Sequence, residues 1–303
     1  AADAQLAVVP FGGGSSVVGG VAPRCAPGQA GALSLDTTRL DRLVRIDAES
    51  RTATLQAGID GPSLEAALGA RGYTLGHFPQ SFEHSTLGGW IATRSAGQQS
   101  DGYGSIDALL VALRCVTPEG VLRTLEVPRA ASGPELIQLL LGSEGTFGVI
   151  TEATLRVHPR AERSDERGML FRSFRDGARA VRALARSGIG LAMARLSDAG
   201  ETQLSLVLRH DPARRIDPVA GALSLAERLG YGEGRCALLY GAEGGSGAVR
   251  TAMFRARALL LRHGGLPLGR GPGQSWRRDR FRTPYLRDWL LDHGVAVDTM
   301  ETS

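Results

Sequence analysis

The chain has 303 residues, 43% of them hydrophobic and 22% charged, with 35 basic residues against 31 acidic ones and a formal charge of +4. This is globular composition, long enough for two domains, and no stretch approaches the roughly 18 uninterrupted apolar residues that a membrane-spanning helix needs. Acidic residues are interspersed with the basic ones and aromatics make up only 5%, so the chain lacks the basic stripe and stacking platform of a nucleic-acid reader.

In chain order, Leu6 to Val9 predicts a short buried strand, and Pro10 ends its ladder pairing. Gly12, Gly13 and Gly14 follow, then Ser15 and Ser16. Glycine takes φ values closed to other residues and lets an anion approach main-chain N–H groups, and the two hydroxyls add donors. Glycines alone serve equally as a tight turn between strands. The spacing fits neither the Gly-x-Gly-x-x-Gly fingerprint nor the Gly-Lys-Ser/Thr ending of a phosphate loop. Ala1 is not an initiator and the strand begins within a few residues, so the N-terminus reads as cut from a longer protein, with no secretion-signal layout and a cytoplasmic expectation.

Leu33 to Asp60 alternates apolar runs with turns and reads as β structure, with Asp47 to Ser50 as a hairpin connection. Ser63 to Arg71 predicts a short amphipathic helix closed by Gly72. An extended segment reaches His77-Phe78-Pro79, followed by the glycine-containing stretch Ser85 to Gly97. Leu109 to Thr117 and Val121 to Val127 predict strands around the turn Pro118-Glu119-Gly120. Leu136 to Leu141 predicts a helix, and Val149 to Val157 a strand after Gly142-Ser-Glu-Gly-Thr-Phe-Gly148.

Pro159 to Gly168 is dense in charge and reads as a linker, giving a first domain of residues 1–158 and a second of residues 159–303. In the second, strands are expected at Met169–Phe174, Leu191–Leu196, Gln203–Leu208 and Cys236–Gly241, with helices at Gly177–Ser187, Val219–Leu229 and Ala248–His263. A β-α-β-β-α-β order suits a ferredoxin-like sheet with helices on one face. Arg277 to Arg282 reads as a solvated or membrane-facing helix surface, and Val295, Val297 and Met300 as a strand with no closing element, so the C-terminus also reads as truncated. Cys25, Cys115 and Cys236 show no disulfide or zinc spacing. Every basic residue is Arg, which excludes lysine Schiff-base chemistry and fits a GC-rich bacterial genome.

Three stretches share one character, glycine and hydroxyl residues at a strand or helix boundary: Pro10 to Ser16, Pro79 to Ser95, and Glu144 to Ile150. Together they suit an extended cofactor carrying a diphosphate. With Ser85-Thr-Leu-Gly-Gly-Trp-Ile-Ala-Thr-Arg-Ser95, Tyr103-Gly-Ser-Ile106 and Gly142-Ser-Glu-Gly-Thr-Phe-Gly148, the chain resembles the flavin-binding (PCMH-type) domain of the vanillyl-alcohol oxidase superfamily. The segments Gly88-Gly-Trp-Ile-Ala-Thr-Arg94, Arg195-Leu-Ser-Asp198 and Tyr285-Leu-Arg-Asp288 narrow the resemblance to the alkyldihydroxyacetonephosphate synthase group.

The resemblance implies an α+β fold: a two-subdomain FAD-binding domain followed by a ferredoxin-like substrate, or cap, domain. It implies that Pro10, Phe11, Gly12, Gly13, Gly14, Ser15 and Ser16 hold the FAD pyrophosphate. Pro79, Gln80, Ser81, Phe82, Glu83, His84 and Ser85, with Ala92, Thr93, Arg94 and Ser95, would run along the dinucleotide and isoalloxazine. Glu144, Gly145, Thr146, Phe147, Gly148, Val149 and Ile150 would complete the adenine side. Where some flavin relatives carry a histidine for covalent attachment, Ser15-Ser16-Val17 stand here, so non-covalent FAD is expected.

By the same resemblance Arg195 is important for activity and Arg287 binds substrate, in line with the bidentate grip an arginine offers phosphate or carboxylate. An ordinary salt bridge is the other reading of Arg195. The six histidines show no metal or triad spacing, and none is assigned as a base. The catalytic tyrosine and histidine cluster of the group are expected beyond Ser303. The implied reaction exchanges the acyl chain of acyl-dihydroxyacetone phosphate for a fatty alcohol. The alternatives are a dehydrogenase or oxidase of a 2-hydroxy acid such as D-lactate or glycolate, and a flavin-binding module without catalysis. A homodimer and peripheral membrane contact are compatible with the first.

Overall fold

In the computed structural model, which describes Ala1 and residues 3–207 and 218–296, the chain divides into two units. One is Ala1–Arg160 with the segment from Phe281 onward, and the other is Ala161–Arg280. The segment from Phe281 therefore groups with the first unit, although it follows the second in sequence.

The first unit opens with β1 (Leu6–Phe11) and β2 (Gly31–Asp36), paired in parallel. Next come β3 (Leu43–Asp47), β4 (Thr52–Gln56), α1 (Gly61–Gly69), β5 (Tyr73–Thr74), α2 (Leu87–Thr93), α3 (Ser100–Tyr103) and α4 (Ile106–Leu109). Then follow β6 (Leu110–Thr117), β7 (Gly120–Arg123), α5 (Leu136–Leu140), β8 (Val149–Arg156) and β9 (His158–Pro159). The main sheet runs β3-β4-β8-β6-β7, antiparallel throughout, and β5 pairs with β9.

Local chemistry sets the boundaries. Asp47 makes the β3–β4 hairpin by accepting the N–H groups of Glu49 and Ser50, both at 3.0 Å. Asp60 caps α1 by accepting Ser63 N–H at 2.8 Å, and Gly72, at φ 82°, lets the chain turn after it. The core joins Leu55, Ile59, Leu64, Leu68, Leu87, Trp90, Ile91 and Leu155, which places α1 and α2 against the sheet. α2 sits in a stretch where no helix was expected, because Gly88 and Gly89 both lower helix propensity. Tertiary contact overrides this: a Cβ on Gly88 would already touch Ala57 at 3.0 Å, so glycine lets the helix lie close to the end of β4.

The second unit contains β10 (Arg163–Phe171), α6 (Phe174–Arg186), β11 (Met193–Leu196), α7 (Ala199–Val207) and α8 (Pro218–Arg228). It continues with β12 (Cys236–Gly244), α9 (Ser246–Arg262), β13 (Leu266–Gly269) and α10 (Gly271–Asp279). The segment returning to the first unit carries α11 (Thr283–Asp292). The sheet order β11-β12-β10-β13, antiparallel throughout, is the ferredoxin-like arrangement. Met169, Phe171, Leu238 and Tyr240 pack beneath α6 and α9, while Leu170 packs with Ala226 of α8 and with Tyr231. Helices therefore cover both sheet faces.

Three expectations need correction. Gln203–Leu208 was expected as a strand, but residues up to Val207 lie in α7. Asp198 starts that helix by accepting Glu201 N–H at 2.7 Å, a cap that outweighs the alternation of Gln203-Leu-Ser-Leu. The charged stretch read as a linker is largely β10, because its charges are paired within the unit. Asp165, only 6% exposed, accepts from Arg167 at 2.9 Å and Arg270 at 3.1 Å, and buried Glu166 pairs with Arg277. Hydrogen bonding from Arg167, then Arg270, holds the Asp165 carboxyl below the usual carboxylate range. Arg277 also reaches Glu243 at 2.6 Å, so it ties α10 to the sheet while its own side chain stays 42% exposed. Finally, Val295 lies outside any strand, and Val297 and Met300 lie outside the described residues.

Candidate functional site

A cleft of about 360 Å³ opens in the first unit, within the range of roughly 300–1,000 Å³ typical of ligand pockets. All seven residues from Pro10 to Ser16 line it. Ser81 and Ser85 join them, as do Ala92, Thr93 and Ser95, and then Glu144, Gly145, Gly148, Val149 and Ile150. The three sequence stretches thus converge on one space.

The other predicted site residues of those stretches are not among the lining. Phe82 is buried and its ring stacks on Phe281 at 4.7 Å and on Trp90 at 6.4 Å. Glu83 accepts from Tyr285 Oη at 3.0 Å, and the His84 ring meets Tyr285 edge-on. Arg94, at φ 53°, ends α2 and donates to Gln138 Oε1 at 2.7 Å and to the Leu141 carbonyl at 3.3 Å, so it braces the neighbouring turn. Pro79 accepts Phe82 N–H in a turn, Thr146 donates its N–H to Ser143, and Phe147 is exposed. Pro79, Gln80, Thr146 and Phe147 do not line the cleft.

The glycines of the first loop serve different ends. Only Gly14 has a positive φ, 64°. A Cβ on Gly12 would lie 2.3 Å from Thr86 Oγ1, and one on Gly13 would lie 1.6 Å from the His84 carbonyl oxygen. Those two positions are glycine because loop packs on loop, and a special backbone angle explains only the third. Among the described residues, the N–H groups of residues 12–18 make no hydrogen bond within the protein. They are unspent donors beside the cleft. Glu144 is the only charged side chain among the lining residues, so an anion here is met by amides and hydroxyls.

Sequence reasoning missed part of the lining: Val17, Val18, Gly20, Val21 and Thr37. Thr86, Gly88, Gly89 and Trp90, which also line it, fall within the Pro79 to Ser95 stretch without having been given individual roles. It also passed over His77, which is fully buried, contacts Ser95 Oγ through Nε2 at 2.8 Å and meets the Trp90 ring edge-on. Its Nδ1 is buried without a partner, and burial lowers its pKa to about 4, so the imidazole is neutral at pH 7. Trp90 Nε1–H donates to Ser85 Oγ at 2.7 Å, and that hydroxyl donates to the Ser81 carbonyl at 2.8 Å. No spacing signals such a residue, because a lone histidine in sequence is indistinguishable from a packed one.

Of the two arginines, Arg195 lies on β11 of the second unit, where it pairs with Glu201 at 2.6 Å with both side chains about two-fifths exposed. Arg287 lies on α11 of the first unit and pairs with its neighbour Asp288 at 2.8 Å. It is not among the residues lining the cleft.

Comparison with known proteins agrees with this geometry. Residues 1–126 match the FAD binding domain family, and residues 166–303 match the C-terminal domain of FAD linked oxidases. The chain belongs to the FAD-linked oxidase family. It is 37% identical over 99% of its length to an alkyldihydroxyacetonephosphate synthase of Dictyostelium discoideum, covering 49% of that protein. The synthase of Trypanosoma brucei brucei is 35% identical over 99% of this chain and 49% of its own length. A solved alkyldihydroxyacetonephosphate synthase superposes with a TM-score of 0.85 at 36% identity, covering 97% of this chain and 53% of that one. The chain thus spans about half the length of the relatives it matches. A mitochondrial D-lactate dehydrogenase of Saccharomyces cerevisiae is more distant, 29% identical over 71% of this chain and 36% of its own length. FAD is the cofactor of this member of the family, and a lining of small residues and unspent amides fits its diphosphate.

Proposed function

We propose that this chain holds FAD non-covalently in the cleft and serves an enzyme that exchanges the acyl chain of an acyl-dihydroxyacetone phosphate for a fatty alcohol. The observation that carries the proposal is the convergence of three separated glycine-and-hydroxyl segments on one cleft, in a chain similar to synthases of that name along nearly its whole length. The amides of residues 12–16 and the hydroxyls of Ser15 and Ser16 take the diphosphate. Ser81, Ser85, Ala92, Thr93 and Ser95 run along the dinucleotide and ring, and Glu144 to Ile150 close the adenine side. Ser15-Ser16-Val17 offer no side chain for a covalent flavin link, which supports a dissociable cofactor.

When bound, the flavin supplies the reacting centre, and the protein contributes binding and orientation. Nε2–H of neutral His77 donates to Ser95 Oγ, because an orphaned Nδ1 lone pair costs less than an orphaned N–H. Ser95 then turns its own proton to the cleft. Arg287 holds the substrate phosphate and Arg195 supports activity. Each now pairs with a partly exposed carboxylate, a weak, solvent-screened partner, and at Arg287 the substrate phosphate displaces it.

The test uses the full-length gene product. Acyl-for-alkyl exchange, with release of the fatty acid and no net flavin reduction, supports the reading. Bleaching of the flavin by D-lactate or glycolate without lipid overturns it in favour of a 2-hydroxy acid dehydrogenase. Bound FAD with neither reaction leaves a flavin-binding module.

A further inference from the structure

The outer surface of the α6–α9 layer carries a concentration of positive charge that the flavin reading leaves unused. Arg175, Arg179, Arg182 and Arg186 recur on α6 at steps of four, three and four residues, so they fall within about 60° of one another on the helix. They lie opposite its buried residues Gly177, Ala180 and Leu184. α9 packs beside α6 on the same sheet face and adds Arg250, Arg255, Arg257 and Arg262 with no acidic residue at all. All eight arginines are exposed.

Among the described residues none of the eight makes an ion pair, whereas Arg167, Arg195, Arg235, Arg270 and Arg277 of the same unit all do. The one carboxylate on these two helices, Asp176, is engaged by Ser173 Oγ at 2.7 Å. Eight arginines against one carboxylate exceed the +4 of the entire chain, so the rest of the molecule is net acidic. The arginines stand three or four positions apart on α6 and two or five apart on α9, and only the folded helices gather them. That is why the linear reading found no basic stripe.

Large apolar side chains stand among these charges. Phe254 on α9 is 76% exposed, Leu261 lies seven residues further along the same flank, and Phe174 at the start of α6 is 51% exposed. Guanidinium groups that attract acidic headgroups, interleaved with side chains that gain by leaving water, are the pattern of a helix surface resting in a lipid interface. A nucleic acid would use the charge and leave Phe254 without a role. No helix among the described residues is long and apolar enough to cross a membrane, so contact through this face is peripheral.

We propose that the α6–α9 face docks on an anionic lipid surface, with the arginines drawing it in and Phe254 inserting at the headgroup level. This does not rest on the flavin reading. The experiment is co-sedimentation of the full chain with phosphatidylcholine vesicles, either neutral or containing about one part in three phosphatidylglycerol. The expected result is binding to the acidic vesicles alone, weakened about tenfold or more between about 0.05 and 0.5 M salt. The combined change Arg175→Gln, Arg179→Gln, Arg182→Gln, Arg186→Gln should weaken it about tenfold or more, and Phe254→Ser about threefold, with far-UV circular dichroism unchanged. Should the fourfold variant misfold, Arg179→Gln with Arg182→Gln gives the same comparison with a smaller loss. Equal binding to neutral vesicles, no binding to acidic ones, or full binding by the arginine variants overturns the proposal. So does an oligonucleotide bound as tightly as the vesicles and indifferent to Phe254→Ser, which would mark a general polyanion surface.

Discussion

Replacing His77 by Gln should flatten the acid dependence of stability. Folding buries His77 completely, and burial lowers its pKa from 6.5 to about 4. Below pH 6.5 the unfolded chain takes up a proton at this site that the folded one refuses until about pH 4, so stability rises with pH through that window. The contribution is fully present above pH 6.5 and is lost as pH falls toward 4. The whole gap is worth about 3 kcal/mol, and about 2 kcal/mol of it is gone by about pH 5. Gln keeps a polar contact for Ser95 without a titrating group. Urea unfolding, followed by circular dichroism at about pH 7.5 and about pH 5, should show the wild type losing about 2 kcal/mol more than His77→Gln on acidification. Parallel losses in the two proteins, or a wild type that gains stability on acidification, would refute the assignment of a neutral buried imidazole.

Gly13→Ala and Ser15→Asp should separate packing from ligand binding in the first loop. Gly13→Ala drives a Cβ into the His84 carbonyl and should lower both the melting temperature and FAD affinity. Ser15→Asp, at an exposed position, should leave melting unchanged while weakening FAD about tenfold or more in a fluorescence titration, by placing a carboxylate against the diphosphate. Gly76→Ala meets both a φ of 73° and the Tyr103 ring at 2.3 Å, and should cost about 2 kcal/mol or more in urea unfolding. Arg277→Gln leaves Glu166 and Glu243 without their shared partner, and should destabilise by about 2 kcal/mol with an unchanged flavin spectrum.

Legibility in the sequence followed how local each cause is. The β3–β4 hairpin and the end of α1 were readable because Asp47 and Gly72 act within a few residues of themselves. α7 and β10 were misread because their causes are not local. The alternation at Gln203-Leu-Ser-Leu resembles a strand until Asp198 caps a helix, and the charges of β10 look solvated until Arg270 and Arg277 arrive from more than a hundred residues away. The same holds for the cleft. Its glycine segments stand out in sequence, but the brace made by Arg94 on Gln138, the histidine behind Ser95 and the stacking of Phe82 on Phe281 exist only after folding.

The glycine loop was first legible as a place where an anion approaches backbone amides, yet two of its three glycines answer to protein rather than ligand. Gly12 and Gly13 bring the loop against Thr86 and the His84 carbonyl, and the third segment is held in the same way. A Cβ on Gly145 would lie 3.1 Å from the Pro10 ring, while the N–H groups of Gly142 and Glu144 bond to Ile91 and Ala92 at 2.9 and 3.0 Å. The three walls are therefore fixed to one another by contacts that require no cofactor. Ordering entropy that a floppy loop would lose on binding is lost at folding instead, so more of the amide–phosphate interaction remains as affinity. It follows that changes on the far side of these contacts should weaken FAD without touching it. Arg94→Ala, which frees the turn before Glu144, should lower FAD affinity while leaving every cleft-lining side chain in place. An unchanged affinity would mean that the cofactor itself, rather than the fold, organises the third wall.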